Sequence, residues 1–364
     1  MTEHMLSLGL MSGTSLDGVD AALIRTDGHA VSEHGAALTL PYPAWLRSRL
    51  RGVLGGNGPV AEVEREVTLF HAEAVDALLR QAGLPASAVA VVGFHGHTIL
   101  HRPKERRTWQ IGDGSLLAER LGLPVVNDFR SADVAAGGQG APLVPVFHAA
   151  LAAPLEQPLA ILNLGGVANV TWIGEDGRLL AFDTGPGNAL IDDWALHHTG
   201  QPVDENGALA AAGRADGAAL AEFCAHPYFA GPPPKSLDRD DFRQLAHRLT
   251  DSLSAEDGAA TLTAFTIAAV DMARRHLPAA PRRWLVCGGG RRNPQVMAGL
   301  RRALSVPVDA VDAVGWDGDA LEAQAFAFLA VRSLKRLPLT WPSTTGAPRP
   351  LCGGRLHRPA LVRV

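Results

Sequence analysis

The 364-residue chain is 47% hydrophobic and 19% charged, which predicts two domains with a large core and excludes disorder. A net charge of −4, with acidic and basic residues interspersed, excludes the basic surface of a general nucleic-acid binder. Three widely spaced cysteines (Cys224, Cys287, Cys352), no evident signal sequence and no apolar run of membrane-spanning length predict a reducing, cytoplasmic setting, with no disulfide framework, zinc ribbon or membrane partner.

In chain order, an apolar run at 6–11 stops at Ser12-Gly13-Thr14-Ser15, with Asp17-Gly18 behind it and a second apolar run at 19–24. This spacing predicts strand, tight turn, strand. A third strand is expected near 36–40, and apolar positions at helical spacing predict an amphipathic helix over 60–82. Residues 88–94 read as a short buried strand ending at His95-Gly96-His97-Thr98. A glycine turn and helix follow over 110–121, then a strand at 123–126 that ends in Asn127-Asp128-Phe129-Arg130. Gly137-Gly138-Gln139-Gly140-Ala141-Pro142 reads as a linker, or as a loop that approaches something closely.

Then the pattern restarts. Strands are expected at 160–164, 167–173 and 179–182, separated by Gly165-Gly166 and by the hairpin turn Glu175-Asp176-Gly177. The third ends in Asp183-Thr184-Gly185-Pro186-Gly187-Asn188, and a helix follows at 189–198. A helix near 262–275 precedes a strand at 284–287, which runs into Gly288-Gly289-Gly290. Asn293-Pro294 reads as N-cap and first residue of a helix ending near 304. Residues 319–334 form another helix, and the Pro- and Gly-rich tail is expected to wrap the surface. Alternating strands and helices predict an α/β protein with its site at the C-terminal strand edges. Each half opens with a strand–glycine turn–strand hairpin, a repeat of layout rather than of residue identity.

The first turn offers backbone N–H groups, hydroxyls and a carboxylate, enough to hold a phosphate and its metal ion. No Gly-Lys-Ser/Thr follows, so it is not a Walker loop, and the next element is a strand, so it is not a dinucleotide fingerprint. If the halves face each other, both turns point into one cleft, with Asp17 from the first half and Asp183 from the second. Backbone amides there bind phosphate oxygens, and carboxylates hold Mg²⁺ or activate a nucleophile. The Gly288–Gly290 turn leaves room for a flat ring. Together these features describe a two-lobed, actin-like (duplicated RNase H-like) ATPase fold with a central interdomain cleft. Taken singly, each has an ordinary alternative: a common turn pair at Asp17-Gly18, an N-cap or Asx turn at Asp183, a flexible loop at the glycine run.

Several long blocks resemble the anhydro-N-acetylmuramic acid kinase family. They are residues 11–20 (MSGTSLDGVD), His95-Gly96, Gln110-Ile111-Gly112-Asp113, Asp128-Phe129-Arg130, 137–145 (GGQGAPLVP), 163–169 (NLGGVAN), 183–188 (DTGPGN) and Cys287-Gly288-Gly289-Gly290. The resemblance runs in family order from residue 7 to about 350. It implies an ATP- and Mg²⁺-dependent sugar kinase of murein recycling, cytoplasmic and homodimeric, that opens 1,6-anhydro-N-acetylmuramate with water and phosphorylates O6. It also implies a first lobe of residues 1–135 plus about 340–364, and a second lobe of 136–339 carrying the adenosine-side glycine turn.

On that resemblance, Gly13, Thr14, Ser15, Leu16, Asp17, Gly18, Val19 and Asp20 would cradle the phosphates, with Asp17 near Mg²⁺. Gly165, Gly166, Gly288, Gly289, Gly290 and Asn293 would complete the ATP site. His95, Thr98, Arg130, Gln139, Gly185 and Asn188 would bind the sugar, with Arg130 facing the lactyl carboxylate. Since O6 is tied up in the bridge, the reaction needs a base for a water attacking C1; that base would be Asp183, with Glu322 as a second acid or base. Two departures stand out: His97 replaces the usual Gln, and Lys235-Ser236-Leu237-Asp238-Arg239 replaces the usual Lys-Ser-Thr-Gly-Arg. Competing readings are a metal-dependent hydrolase built on His95, His97 and His101, and a nucleotide switch that transfers nothing.

Overall fold

The computed structural model describes residues 3–13 and 16–360. Its strands are β1 (Met5–Ser12), β2 (Gly18–Thr26), β3 (Val31–Pro41), β4 (Val91–Arg102), β5 (Arg107–Ile111), β6 (Val125–Asn127), β7 (Leu159–Leu164), β8 (Val167–Ile173), β9 (Leu179–Pro186), β10 (Arg283–Cys287), β11 (Val308–Ala310) and β12 (Arg355–His357). The chain divides into two compact units. One holds the residues up to Ala153 with those from Ala320 onward, and the other is Pro154–Asp319.

In the first unit the strand order is β12-β6-β4-β1-β2-β3, with β5 folded back on β4. In the second it is β11-β10-β7-β8-β9. Both sheets are built alike. The opening strand (β1 or β7) runs antiparallel to the next, which runs antiparallel to the third. On its other side the opening strand is parallel to a later one (β4 or β10), which is parallel to a fifth (β6 or β11). The repeat of layout is thus a repeat of topology, the duplicated RNase H-like arrangement of an actin-like fold.

One face of the first sheet packs on the helices Ala44–Val53 and Val60–Ala82 through Leu8, Leu10, Val19, Leu46, Val67 and Val75, all fully buried. The helix Leu321–Leu334 covers the opposite face. Gly9 and Gly93 are register partners on β1 and β4. A methyl group on Gly9 would overlap the Ala323 carbonyl and lie 2.5 Å from the Ala327 nitrogen. One on Gly93 would overlap the Phe326 carbonyl oxygen and lie 2.6 Å from its carbon. The helix therefore lies directly on a smooth glycine slot.

This packing places residues 320–339 in the first unit, not with the second half as expected. Residues 136–153 belong there too, so 137–142 is a loop of the first unit and not a linker. The C-terminal tail also does more than wrap. β12 adds an antiparallel edge strand to β6, and the His357 ring bridges Asn127 Oδ1 (2.9 Å) and Ser115 Oγ (3.0 Å).

The second sheet packs on helices Ala189–Thr199, Ala255–Ala273 and Pro294–Leu304, around a core in which Phe223 and Phe265 stack at 4.2 Å. The long helix begins seven residues before the expected 262, because Ser254 caps it by accepting from Asp257 N–H. Among the described residues no helix is long and apolar enough to cross a membrane.

Candidate functional site

At the C-terminal ends of β1, β4 and β6 the first unit gathers most of its expected site residues. Of the phosphate turn, Thr14 and Ser15 lie outside the described residues. Leu16 adopts a left-handed backbone (φ +58°) and its N–H donates to Gly13 O at 3.2 Å. The Asp17 carbonyl accepts from Tyr42 N–H at 2.9 Å, and its exposed carboxylate accepts from Gly18 N–H at 2.9 Å. Val19 points into the core, so any ligand contact it makes is through its backbone. Asp20 accepts from the Thr39 hydroxyl across the hairpin. The exposed Asp17 carboxylate fits Mg²⁺, which is usually held by one or two carboxylates plus phosphate oxygens.

Beneath the turn runs a buried polar chain: Ser12 Oγ lies 2.8 Å from Tyr42 OH and 2.9 Å from His97 Nδ1. Burial pulls His97 down to about 4 and pushes the Tyr42 phenol up, so both are neutral at pH 7. His97 thus ties β4 to Ser12 at the end of β1.

His95 has a different duty. Arg130 Nε donates to its Nε2 at 3.1 Å, so Nδ1 carries the proton and donates to Gly96 O at 2.9 Å. Burial first, and the adjacent guanidinium second, hold this imidazole well below its usual range. Both His95 ring nitrogens are thus committed to hydrogen bonds within the first unit. Among the described residues no group of three His, Cys, Asp or Glu side chains is placed to hold a metal ion.

Arg130 Nη1 also donates to Gly140 O at 2.7 Å. The Gln139 loop is fixed by Asp133, a buried carboxylate that sequence reasoning missed: it accepts from Gly140 N–H (2.7 Å) and Thr345 Oγ1 (2.6 Å). Gln139 N–H donates to Thr345 O at 2.6 Å. Thr98 Oγ1 accepts from Gln110 Nε2 at 3.1 Å. Glu322, half-buried, lies in the first turn of the helix on the glycine slot.

The second unit gathers its expected residues at the ends of β7, β9 and β10. The Gly165-Gly166 turn is held from behind: Asn188 N–H donates to Gly165 O at 2.8 Å, Gly187 N–H to Gly166 O at 2.9 Å, and Asn188 Nδ2 to Leu164 O at 2.8 Å. Gly165, Gly166 and Gly289 have room in front of them. Gly288 and Gly290 do not; side chains there would meet Leu164 at 2.7 and 2.6 Å. Asn293 Oδ1 caps the helix Pro294–Leu304 by accepting from Gln295 and Val296 N–H, and Gly185 is pressed against Ala269. The Asn293 carboxamide oxygen is therefore engaged in capping, and Gly185 faces a helix.

Asp183 is 8% exposed and sits where β9 bulges at Thr184. Its Oδ2 accepts from Leu237 N–H at 2.8 Å, its N–H donates to Lys235 O at 3.0 Å, and its carbonyl accepts from Tyr228 OH at 2.5 Å. Because Leu237 acts through its backbone, the missing hydroxyl of this variant loop costs Asp183 nothing. Asp238 N–H donates to Asp241 Oδ2 and Asp238 Oδ1 accepts from Asp240 N–H, forming the turn where a glycine is usual. Burial, with Arg275 nearby, pulls Lys235 down to about 8. Asp192 is a further carboxyl the sequence did not flag; burial, then Asp193, push it up to about 7.

A family model described as anhydro-N-acetylmuramic acid kinase matches residues 5–358. A relative of that name from Paramagnetospirillum magneticum is 67% identical over 98% of this chain and 100% of its own length. One from Rhodospirillum rubrum is 61% identical over 98% and 95%. Among solved structures, component A of the (R)-2-hydroxyglutaryl-CoA dehydratase of Acidaminococcus fermentans aligns at 12% identity with a TM-score of 0.48, over 91% of this chain and 99% of that one. With the family model spanning nearly its whole length and two relatives above 60% identity, the chain belongs to the anhydro-N-acetylmuramic acid kinase family.

Proposed function

We propose that this chain is an ATP-dependent kinase that converts 1,6-anhydro-N-acetylmuramate, water and ATP to N-acetylmuramate 6-phosphate and ADP, in the recycling of murein. The observation that carries the reading is the Asp183 carboxylate, fixed at the bulged end of β9 in a chain of this family. A kinase acting on a free hydroxyl needs only to deprotonate it. Here O6 is an ether oxygen, so C1–O6 must break.

Asp183 takes a proton from water as the water oxygen bonds to C1. The C1–O6 electron pair passes to O6, which bonds to the γ-phosphorus as ADP leaves. A carboxylate suits the base because its oxygen can accept a proton from water, and its orientation is held by the Leu237 N–H.

Backbone groups of the Gly13–Asp20 turn and of Gly165-Gly166 would hold the phosphates, and the Gly288–Gly290 turn the adenosine. Mg²⁺ near Asp17 would neutralise charge on the β- and γ-oxygens. Arg130, its plane set by His95 and Gly140, would present its Nη pair to the lactyl carboxylate. A cytoplasmic location and a homodimeric state belong to the same proposal.

Incubation with ATP and 1,6-anhydro-N-acetylmuramate in ¹⁸O-water tests it. The expected product is a phosphosugar carrying one ¹⁸O at C1. Absence of phosphosugar refutes the kinase reading, and unlabelled product refutes attack by water at C1.

A further inference from the structure

The segment around residues 228–237 belongs to neither glycine turn, yet it binds Asp183 at three points: N–H, C=O and Oδ2. The segment is also closed on itself. Lys235 Nζ donates to Tyr228 O at 3.0 Å and stands over the Tyr228 ring, 4.5 Å from its centroid. The same ammonium lies 5.7 Å from the Phe182 ring, on the residue before Asp183. The register slip at Thr184 interrupts the β8–β9 ladder where Asp183 sits. A bulge re-aims a side chain but gives up ladder bonds that would hold it. β9 is the edge strand of its sheet, and the arch from Tyr228 to Leu237 takes up the Asp183 N–H and C=O on that open edge.

We propose that Tyr228 and Lys235 are positioning residues: the arch they close sets the orientation of the Asp183 carboxylate, and through it the rate of the base-assisted step, without contact to either substrate. This rests on Asp183 being the base. Misplacement of a reacting group by about 1 Å can cost about a hundredfold in rate, and loss of the Leu237 N–H bond would raise the carboxylate's apparent pKa.

The test is steady-state kinetics across pH with ATP and 1,6-anhydro-N-acetylmuramate, on Tyr228→Phe, Lys235→Met and Asp183→Asn. Tyr228→Phe deletes one oxygen and keeps the ring beneath Lys235, so the fold survives. Tyr228→Phe and Lys235→Met are expected to lower kcat about tenfold or more, to leave both KM values within about twofold, and to move the acid limb of kcat to higher pH. Loss of activity in Asp183→Asn, together with wild-type kcat and acid limb in the other two, overturns the proposal alone. Full activity in Asp183→Asn overturns the base assignment and the proposal with it.

Discussion

Replacing Gly93 by alanine should unseat the helix Leu321–Leu334 from the first sheet. The new methyl carbon would overlap the Phe326 carbonyl oxygen and stand 2.6 Å from the Phe326 carbon and 3.1 Å from Ala330 Cβ. Two of those three atoms are backbone, so no rotamer change relieves the overlap. The helix must lift as a body, and Gly9 on the neighbouring strand shows that the contact is equally tight beside it. Overpacking of a well-filled core costs about 1–3 kcal/mol, occasionally more, and rigid backbone on the far side points to the upper end. For a domain of this size each kcal/mol lowers the melting midpoint by about 2–4 °C, so a fall of about 6–12 °C is expected.

Scanning calorimetry on Gly93→Ala measures this, with Gly52→Ala as control. Gly52 lies on the exposed side of the helix Ala44–Val53, where an added methyl would meet nothing within 4 Å, and alanine there should be neutral or stabilising by up to about 1 kcal/mol. A Gly93→Ala protein that melts within a degree of wild type would refute the close helix–sheet contact and with it the assignment of residues 320–339 to the first unit.

Arg130→Lys should raise the KM for the anhydro sugar about tenfold or more while leaving that for ATP unchanged, since an ammonium cannot reproduce a planar fork; an unchanged sugar KM in steady-state assays would remove Arg130 from the carboxylate site. Asp192 provides a pH test. The folded state holds its proton up to about 7 and the unfolded chain releases it near 3.8, so between those values the folded state binds more protons and stability falls as pH rises. Asp192→Asn should therefore flatten the loss of thermal stability between pH 5 and pH 8, and an identical loss in variant and wild type would contradict it.

The hairpins, the glycine turns and the capping pair Asn293-Pro294 were legible because each is written in local residue types: period-two apolar runs, Gly where backbone turns tightly, Asn before Pro. The helix Leu321–Leu334 was legible as a helix but not as a part of the first unit. It is apolar nearly all round, so no stripe indicates which sheet it covers, and the glycine slot that receives it lies more than 200 residues away in sequence. The role of Asp133 was hidden for a similar reason, since its partner Thr345 comes from the other end of the chain. Leu237 looked like a defect when read as a side chain; its contribution to Asp183 is a backbone N–H, which any residue but proline supplies. Ser254 was legible in principle, as the start of a Ser-x-x-Asp capping pattern ahead of the helical run.

The division of the chain carries a consequence for its synthesis. The second unit is one continuous stretch, Pro154–Asp319, inserted into a first unit that is written in two pieces. A ribosome delivers residues in order, and domains fold as they emerge complete. The first-made sheet must therefore wait, its glycine slot uncovered, until the inserted unit has been translated and the helix Leu321–Leu334 arrives. The nascent first unit is the aggregation-exposed species, and the inserted unit is the one able to reach its native state early. A truncation ahead of residue 321 would leave that sheet permanently open on one face, so premature termination late in the message would spoil the earliest part of the protein.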